Sequence, residues 1–221
     1  MLGDSVAGDE WAKYRSVQIG YDQDWETSNS LVCHFSVSDH VGTHIDAPAH
    51  CLESGGRLES VDISRLMGEA VCLDLRRGDG DYGYTARDFS EGQPGIEPED
   101  IVLIYSGYRD RSAAERIRQT FVTPDAAEWL VERRVRAVGC EPGGLEHCWD
   151  GLYVERWDDK ATPNPWPAHR ILLAADVYII EGLTNLDRIA GKRVRFAALP
   201  LPIPGLSGSP VRAVAWIERG V

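Results

Sequence analysis

The apolar residues of this chain fall into short runs. "AVCLDLR" (70–76), "IVLIYSG" (101–107), "VRAVGC" (135–140), "DVYIIEG" (176–182), "VRFAALPL" (194–201) and "VRAVAWIE" (211–218) are rich in Val and Ile and bounded by Gly, Pro or charged residues. Runs of this length and composition predict buried strands. "LVCHFSVS" (31–38) instead alternates Cys33, Phe35 and Val37 with His34, Ser36 and Ser38, which predicts a half-buried strand. Between two of the runs, "TPDAAEWLVERR" (123–134) predicts a helix. Thr123 is placed to cap it, Pro124 lies in its first turn, and Ala127, Leu130 and Val131 share one apolar face, with Trp129 as a packing residue. Strands alternating with helix predict an α/β fold around a large sheet.

Residues 141–168 break this pattern. They carry Gly and Pro clusters and three tryptophans, Trp149, Trp157 and Trp166, without a period. A stretch this long predicts an active-site or partner-contacting loop.

A chain of 221 residues, 43% hydrophobic and 26% charged, reads as one globular domain spanning 1–221. No apolar run approaches the length of a membrane span. The formal charge of −12 disfavours nucleic acid, because phosphate binding needs clustered Lys and Arg. The basic runs "ERIRQT" (115–120) and "VERRVR" (131–136) read as solvated helix faces. The opening "MLGDSVAGDEWAKYR" has neither a basic n-region nor an apolar h-region, so a cytoplasmic location is expected. Cys33, Cys51, Cys72, Cys140 and Cys148 are odd in number and form no CxxC pair, which predicts reduced, structural thiols.

Candidate chemistry concentrates in "HVGTHIDAPAH" (40–50), which holds three of the six histidines and Asp46. His40 and His44 have the spacing of a helical metal pair. Gly42, Pro48 and the strand just before them favour a loop instead. In such a loop a bend at Gly42 and Thr43 turns both imidazoles toward one point, and Asp46 adds an anionic oxygen. Two nitrogens and a carboxylate match a catalytic divalent site for zinc or manganese, with a position left open for water or substrate. Such an ion lowers the pKa of its water toward about 7. His50 suits the accompanying acid/base, though the spacing equally allows a further ligand. His169 opens a short helix, and Glu181 closes the apolar run "DVYIIE". Together they could complete a two-metal site bridged by Asp46.

These residues resemble the cyclase-like metal hydrolases, the family of bacterial kynurenine formamidase and isatin hydrolase. Its signature, His-x-Gly-Thr-His-x-Asp-x-Pro-x-His, is met at every fixed position of 40–50. "PWPAHRILLAADVYIIEGLTNLDRI" is similar to its second metal segment, "FVTPDAAEWLVERRVRAVG" to its central helix and strand, and "AALPLPIPGLSGSPVRAVAW" to its C-terminal strands. The resemblance runs from about residue 31 to the end; residues 1–30 and much of 141–168 match weakly. It implies a swivelling β/β/α cyclase-like fold with a mixed sheet. It also implies His40, His44 and Asp46 as metal ligands, His50 as the proton donor and acceptor, and His169 and Glu181 holding a second ion. The presence of Glu181 points to two ions per subunit. A homo-oligomer, dimer or tetramer, acting on a small molecule is implied as well. The expected activity is hydrolysis of a small amide, imide or lactone. The alternatives are a metal-dependent cyclase or dehydratase and a non-enzymatic metal- or ligand-binding module.

Overall fold

The structure is a computed structural model that describes residues 17–77, 82–108, 120–142, 145–146 and 166–217. In chain order the strands are β1 (Gln18–Gln23), β2 (Val32–Ser36), β3 (His44–Asp46), β4 (Met67–Asp74), β5 (Tyr82–Tyr84), β6 (Ile101–Tyr105), β7 (Thr120–Val122), β8 (Ala137–Cys140), β9 (Tyr178–Glu181), β10 (Lys192–Pro200) and β11 (Gly208–Trp216). The helices are α1 (Trp25–Ser28), α2 (Ala86–Glu91), α3 (Pro124–Glu132) and α4 (Pro167–Ala174).

Seven strands close into a barrel in the order β10-β11-β3-β9-β8-β6-β4. The sheet is mixed: β4, β6, β8 and β9 run parallel, and β3, β10 and β11 complete the circle by antiparallel pairing. The parallel half explains the unbroken apolar runs. Ala70, Cys72, Ile101, Leu103, Ala137 and Ile180 belong to one core inside the barrel. Their neighbours Val71, Leu73, Val102, Ile104, Val138 and Ile179 belong to a second core beneath the helices. Successive side chains point to opposite faces, so a strand covered on both sides must be apolar at every position. Full burial of each such Leu, Ile or Val stabilises the fold by about 1.5–3 kcal/mol. The outer core is sealed by Phe89 of α2, Ala126, Ala127 and Leu130 of α3, and Leu172 and Leu173 of α4.

All six apolar runs form strands, and the predicted helix forms with Pro124 at its start and Trp129 packed on the core. Three details differ from the local reading. Every residue of β2 is exposed, because among the described residues its only strand partner is β1, in a two-stranded ribbon. Cys33 and Phe35 therefore share a face with Ile19 and Tyr21 outside the barrel, and Val37 lies past the strand end. Thr123 occupies the N-cap of α3 without bonding its amides; the hydroxyl donates to the Tyr84 carbonyl at 2.8 Å instead. "VERRVR" leaves the helix after Glu132, since Arg134 turns into the left-handed region at φ 57° and Arg136 lies in the turn entering β8. "ERIRQT" falls outside the described residues except at Thr120, which opens β7.

The turn after β9 packs on the bend that precedes β3. Gly182 has φ +71°, and a Cβ there would lie 2.4 Å from the Gly42 carbonyl oxygen. Gly191 has a similar φ of +70° with nothing within 4 Å. Gly191→Ala is expected to cost only the left-handed strain, about 1–2 kcal/mol. Gly182→Ala is expected to cost clearly more, since backbone atoms on both sides must separate. Urea denaturation of the two variants measures the difference, and equal losses would refute the close approach.

Candidate metal centre

Strand register builds the cluster. β3 lies between β11 and β9, pairing His44 with Glu181 and Asp46 with Ile179 on one side, and Asp46 with Gly208 on the other. Ile45 points into the barrel core, so His44 and Asp46, two residues apart, both point outward. Directly opposed residues have their Cβ atoms within about 4.5–5.5 Å, which sets Glu181 beside His44. Thr43 locks the entry to β3 by donating to the Gly182 carbonyl at 2.8 Å. Two of the motif's side chains thus sit on a strand, where a loop was expected. Edge pairing supplies the order that the Gly42–Thr43 bend alone would lack.

The remaining members arrive from three directions. His40 precedes the strand, and its Nδ1 lies 2.7 Å from Asp46 Oδ1. His50 ends the 3-10 turn Pro48–His50, where its N–H donates to the Ala47 carbonyl at 2.9 Å and its ring centroid lies 4.0 Å from that of His40. His169 comes from the first turn of α4 above the sheet, with Nε2 3.7 Å from Asp46 Oδ2 and 4.0 Å from Glu181 Oε1. His44 Nε2 lies 3.3 Å from Asp46 Oδ1 and 3.6 Å from Glu181 Oε2. All six residues singled out in the sequence, His40, His44, Asp46, His50, His169 and Glu181, therefore meet in one place. Ligand atoms of His40, Asp46 and His50, and of His44, Asp46 and Glu181, lie within 4.8 Å of one another in each set.

The carboxylates and imidazoles of this cluster shift one another's protonation. Burial opposes protonation of His44, yet the adjacent Asp46, helped by Glu181 and the Gly42 carbonyl, pushes the imidazole up to about 9. Burial likewise disfavours the Asp46 carboxylate, but His44 and His40 hold it well below the usual carboxylate range. His169 is disfavoured as a cation by burial and raised nonetheless by the Glu146 hydrogen bond and the carboxylates around it. His50 differs: burial, opposed by Asp46 and reinforced by the other imidazoles, pushes it down to about 4. Beside it, burial and the Asp46 and Glu146 charges push the Cys51 thiol up to about 12, which keeps it from serving as a thiolate.

One atom tests directly whether a metal fits. Asp46 is fully buried, and among the described residues its Oδ2 has no hydrogen-bond partner. A buried anionic oxygen without a donor is costly. With imidazole nitrogens and a second carboxylate around it, a divalent cation is the partner that the donor set suits. His44 is set for that role. Its Nδ1 lies 2.9 Å from the Gly42 carbonyl, which can only accept, so Nδ1 carries the proton and Nε2 faces the carboxylates.

Three contributors escaped the sequence reading. Ser207 Oγ lies 3.0 Å from His40 Nε2 and donates to Asp39 Oδ2 at 2.9 Å. Glu146 reaches His169 from within 141–168. Asp39 adjoins the motif, but nothing in the spacing of Glu146 or Ser207 marks them, because their approach depends on chain return over long separations. Cys148, Trp149 and Trp157 lie outside the described residues, as does most of residues 1–30.

The chain is similar to several known proteins. A kynurenine formamidase from Geobacillus thermodenitrificans is 28% identical over 193 residues, covering 85% of this chain and 81% of that protein. An isatin hydrolase from Roseibium aggregatum is 26% identical over 202 residues, covering 83% and 73%. Among solved structures, isatin hydrolase A from Ralstonia solanacearum superposes with a TM-score of 0.73 at 26% identity, covering 91% of this chain and 82% of that one. A structure described as a potential metal-dependent hydrolase with cyclase activity superposes with a TM-score of 0.68 at 27% identity, covering 92% and 87%. No helix among the described residues is long and apolar enough to cross a membrane. The sequence profile of the Cyclase family matches residues 9–147, more than half of the chain and the whole of the histidine motif, and the protein belongs to that family.

Proposed function

We propose that this protein is a metal-dependent hydrolase that cleaves the C–N or C–O bond of a small amide, imide or lactone. The observation that carries the reading is the buried Oδ2 of Asp46, which has no hydrogen-bond partner among the described residues and lies in a cluster with His44, His169 and Glu181. His40, His44 and Asp46 would hold one divalent cation, and His169 and Glu181 would hold a second. Zinc or manganese suits these donors. A cation held there supplies Lewis-acid polarisation of a carbonyl and a source of hydroxide near neutral pH. The relatives named kynurenine formamidase and isatin hydrolase support amide-type substrates.

The chain's own groups supply the remainder. Asp46 and the imidazoles bind and orient. His50, at the rim of the cluster and pushed down to about 4, is neutral at pH 7. A neutral imidazole can take a proton from water and return it to the leaving nitrogen or oxygen. Cys51, held as a thiol, offers no competing nucleophile. The homo-oligomer reading is supported by the uncovered apolar side chains Ile19, Tyr21 and Phe35 on the β1–β2 ribbon.

Metal analysis of purified protein is expected to find close to two equivalents per chain. Asp46→Ala should lose both with all hydrolysis, and Glu181→Ala should lose about one. Undiminished activity in chelator-treated, metal-free protein would refute the reading.

His50→Ala is expected to keep its metal and lose about 10²–10⁴-fold in kcat. In ¹⁸O-labelled water the wild-type product should carry one solvent oxygen in its new acid group. An unlabelled product would favour the cyclase or dehydratase alternative, and loss of metal from His50→Ala would make it a ligand.

Light scattering on the purified chain is expected to report a dimer or tetramer. A monomer at working concentration would contradict the oligomer assignment.

A further inference from the structure

The helix that carries His169 does not cap itself. At its N-cap, Trp166 makes no side-chain hydrogen bond to the first turn and holds a left-handed backbone at φ 68° and ψ 56°. The first amides of a helix have no partner within it. Here they are met by a side chain distant in sequence: Glu146 Oε1 accepts from the Ala168 N–H at 2.7 Å, and Oε2 accepts from the His169 N–H at 3.4 Å. The same Oε2 also accepts from Nδ1 of the His169 imidazole. Both residues are buried, Glu146 to 8% and His169 to 2% exposure.

We propose that Glu146 is a positioning residue that fixes the His169 ring so that Nε2 faces Asp46 and Glu181 for a cation. This rests on the metal-dependent reading above. With Nδ1 committed to a carboxylate, the imidazole has one free nitrogen, and it points at Asp46 Oδ2 and Glu181 Oε1, 3.7 and 4.0 Å away. A carboxylate on the far nitrogen also makes the ligand more basic, a recurrent arrangement behind metal-bound histidines. The chemistry of the contact excludes an amide substitute. Both oxygens of Glu146 act as acceptors. Glutamine has one acceptor oxygen, so in either orientation its NH₂ must face an N–H donor. The charge matters too, because Glu146 places a third negative group beside Asp46 and Glu181, where positive charge must be held in a buried site.

The experiment is calorimetric titration of Mn²⁺ or Zn²⁺ into the metal-free full chain, comparing wild type with Glu146→Gln, His169→Ala and the double variant. Glu146→Gln is expected to weaken one of the two equivalents by about 10–100-fold and to leave the other unchanged. Adding Glu146→Gln to His169→Ala should change nothing further, since the carboxylate acts through that ring. Unchanged affinities in Glu146→Gln, or an equal loss in the His169→Ala background, overturns the role. Should Glu146→Gln fail to fold, Glu146→Asp, which keeps both acceptors on a shorter arm, is expected to weaken the same equivalent; undiminished binding there also overturns it. Normal cation uptake without hydrolysis of any amide, imide or lactone would sink the proposed activity while the affinities still judge Glu146. A wild-type chain that takes up no cation overturns both.

Discussion

The carboxylate of Asp46 is buried among imidazoles, and the local architecture makes sense around that constraint. One oxygen is engaged by His40 and His44, while the other has no donor among the described residues. Taking a carboxylate out of water is expensive unless opposite charge or donors replace the lost hydration. His44, pushed up to about 9, and His169, also raised, respond by holding protons. A divalent cation would displace those protons and meet the same electrostatic demand.

The barrel supplies the precision that a loop could not. β3 is three residues long, yet it is hydrogen-bonded on both sides, to β9 and to β11. That pairing commits Ile45 to the interior and His44 and Asp46 to the outside, and it brings Glu181 opposite His44. Close backbone approach is needed to make this fit. A Cβ on Gly208 would lie 2.7 Å from both the His40 ring and the Ile45 carbonyl oxygen. Glycine there serves the cluster by leaving room for His40.

Around the cluster, far-side contacts restrict how the rings turn. The Gly42 carbonyl holds His44, Ser207 with Asp39 behind it meets His40, and Glu146 meets His169. Side chains locked in this way lose less freedom when a ligand binds, which favours tight and specific coordination. The likeness to formamidase and isatin hydrolase relatives extends over most of the chain.

Much of this was legible in the chain itself. Apolar runs such as "IVLIYSG" and "DVYIIEG" announce strands because a strand buried on both faces has no room for polar side chains, and the histidine motif announces a cation because three imidazoles and a carboxylate within eleven positions serve few other purposes. Local pattern reports what near neighbours in sequence require. It cannot report what depends on long-range closure. The outward exposure of β2, the two-sided pairing of β3, the register that sets Glu181 against His44, and the arrival of Glu146 at His169 from 23 residues away belong to that second class. Each is decided by which distant strand or turn packs alongside, and only the tertiary structure makes that choice, because the energy of such a contact exists only once the chain has returned upon itself.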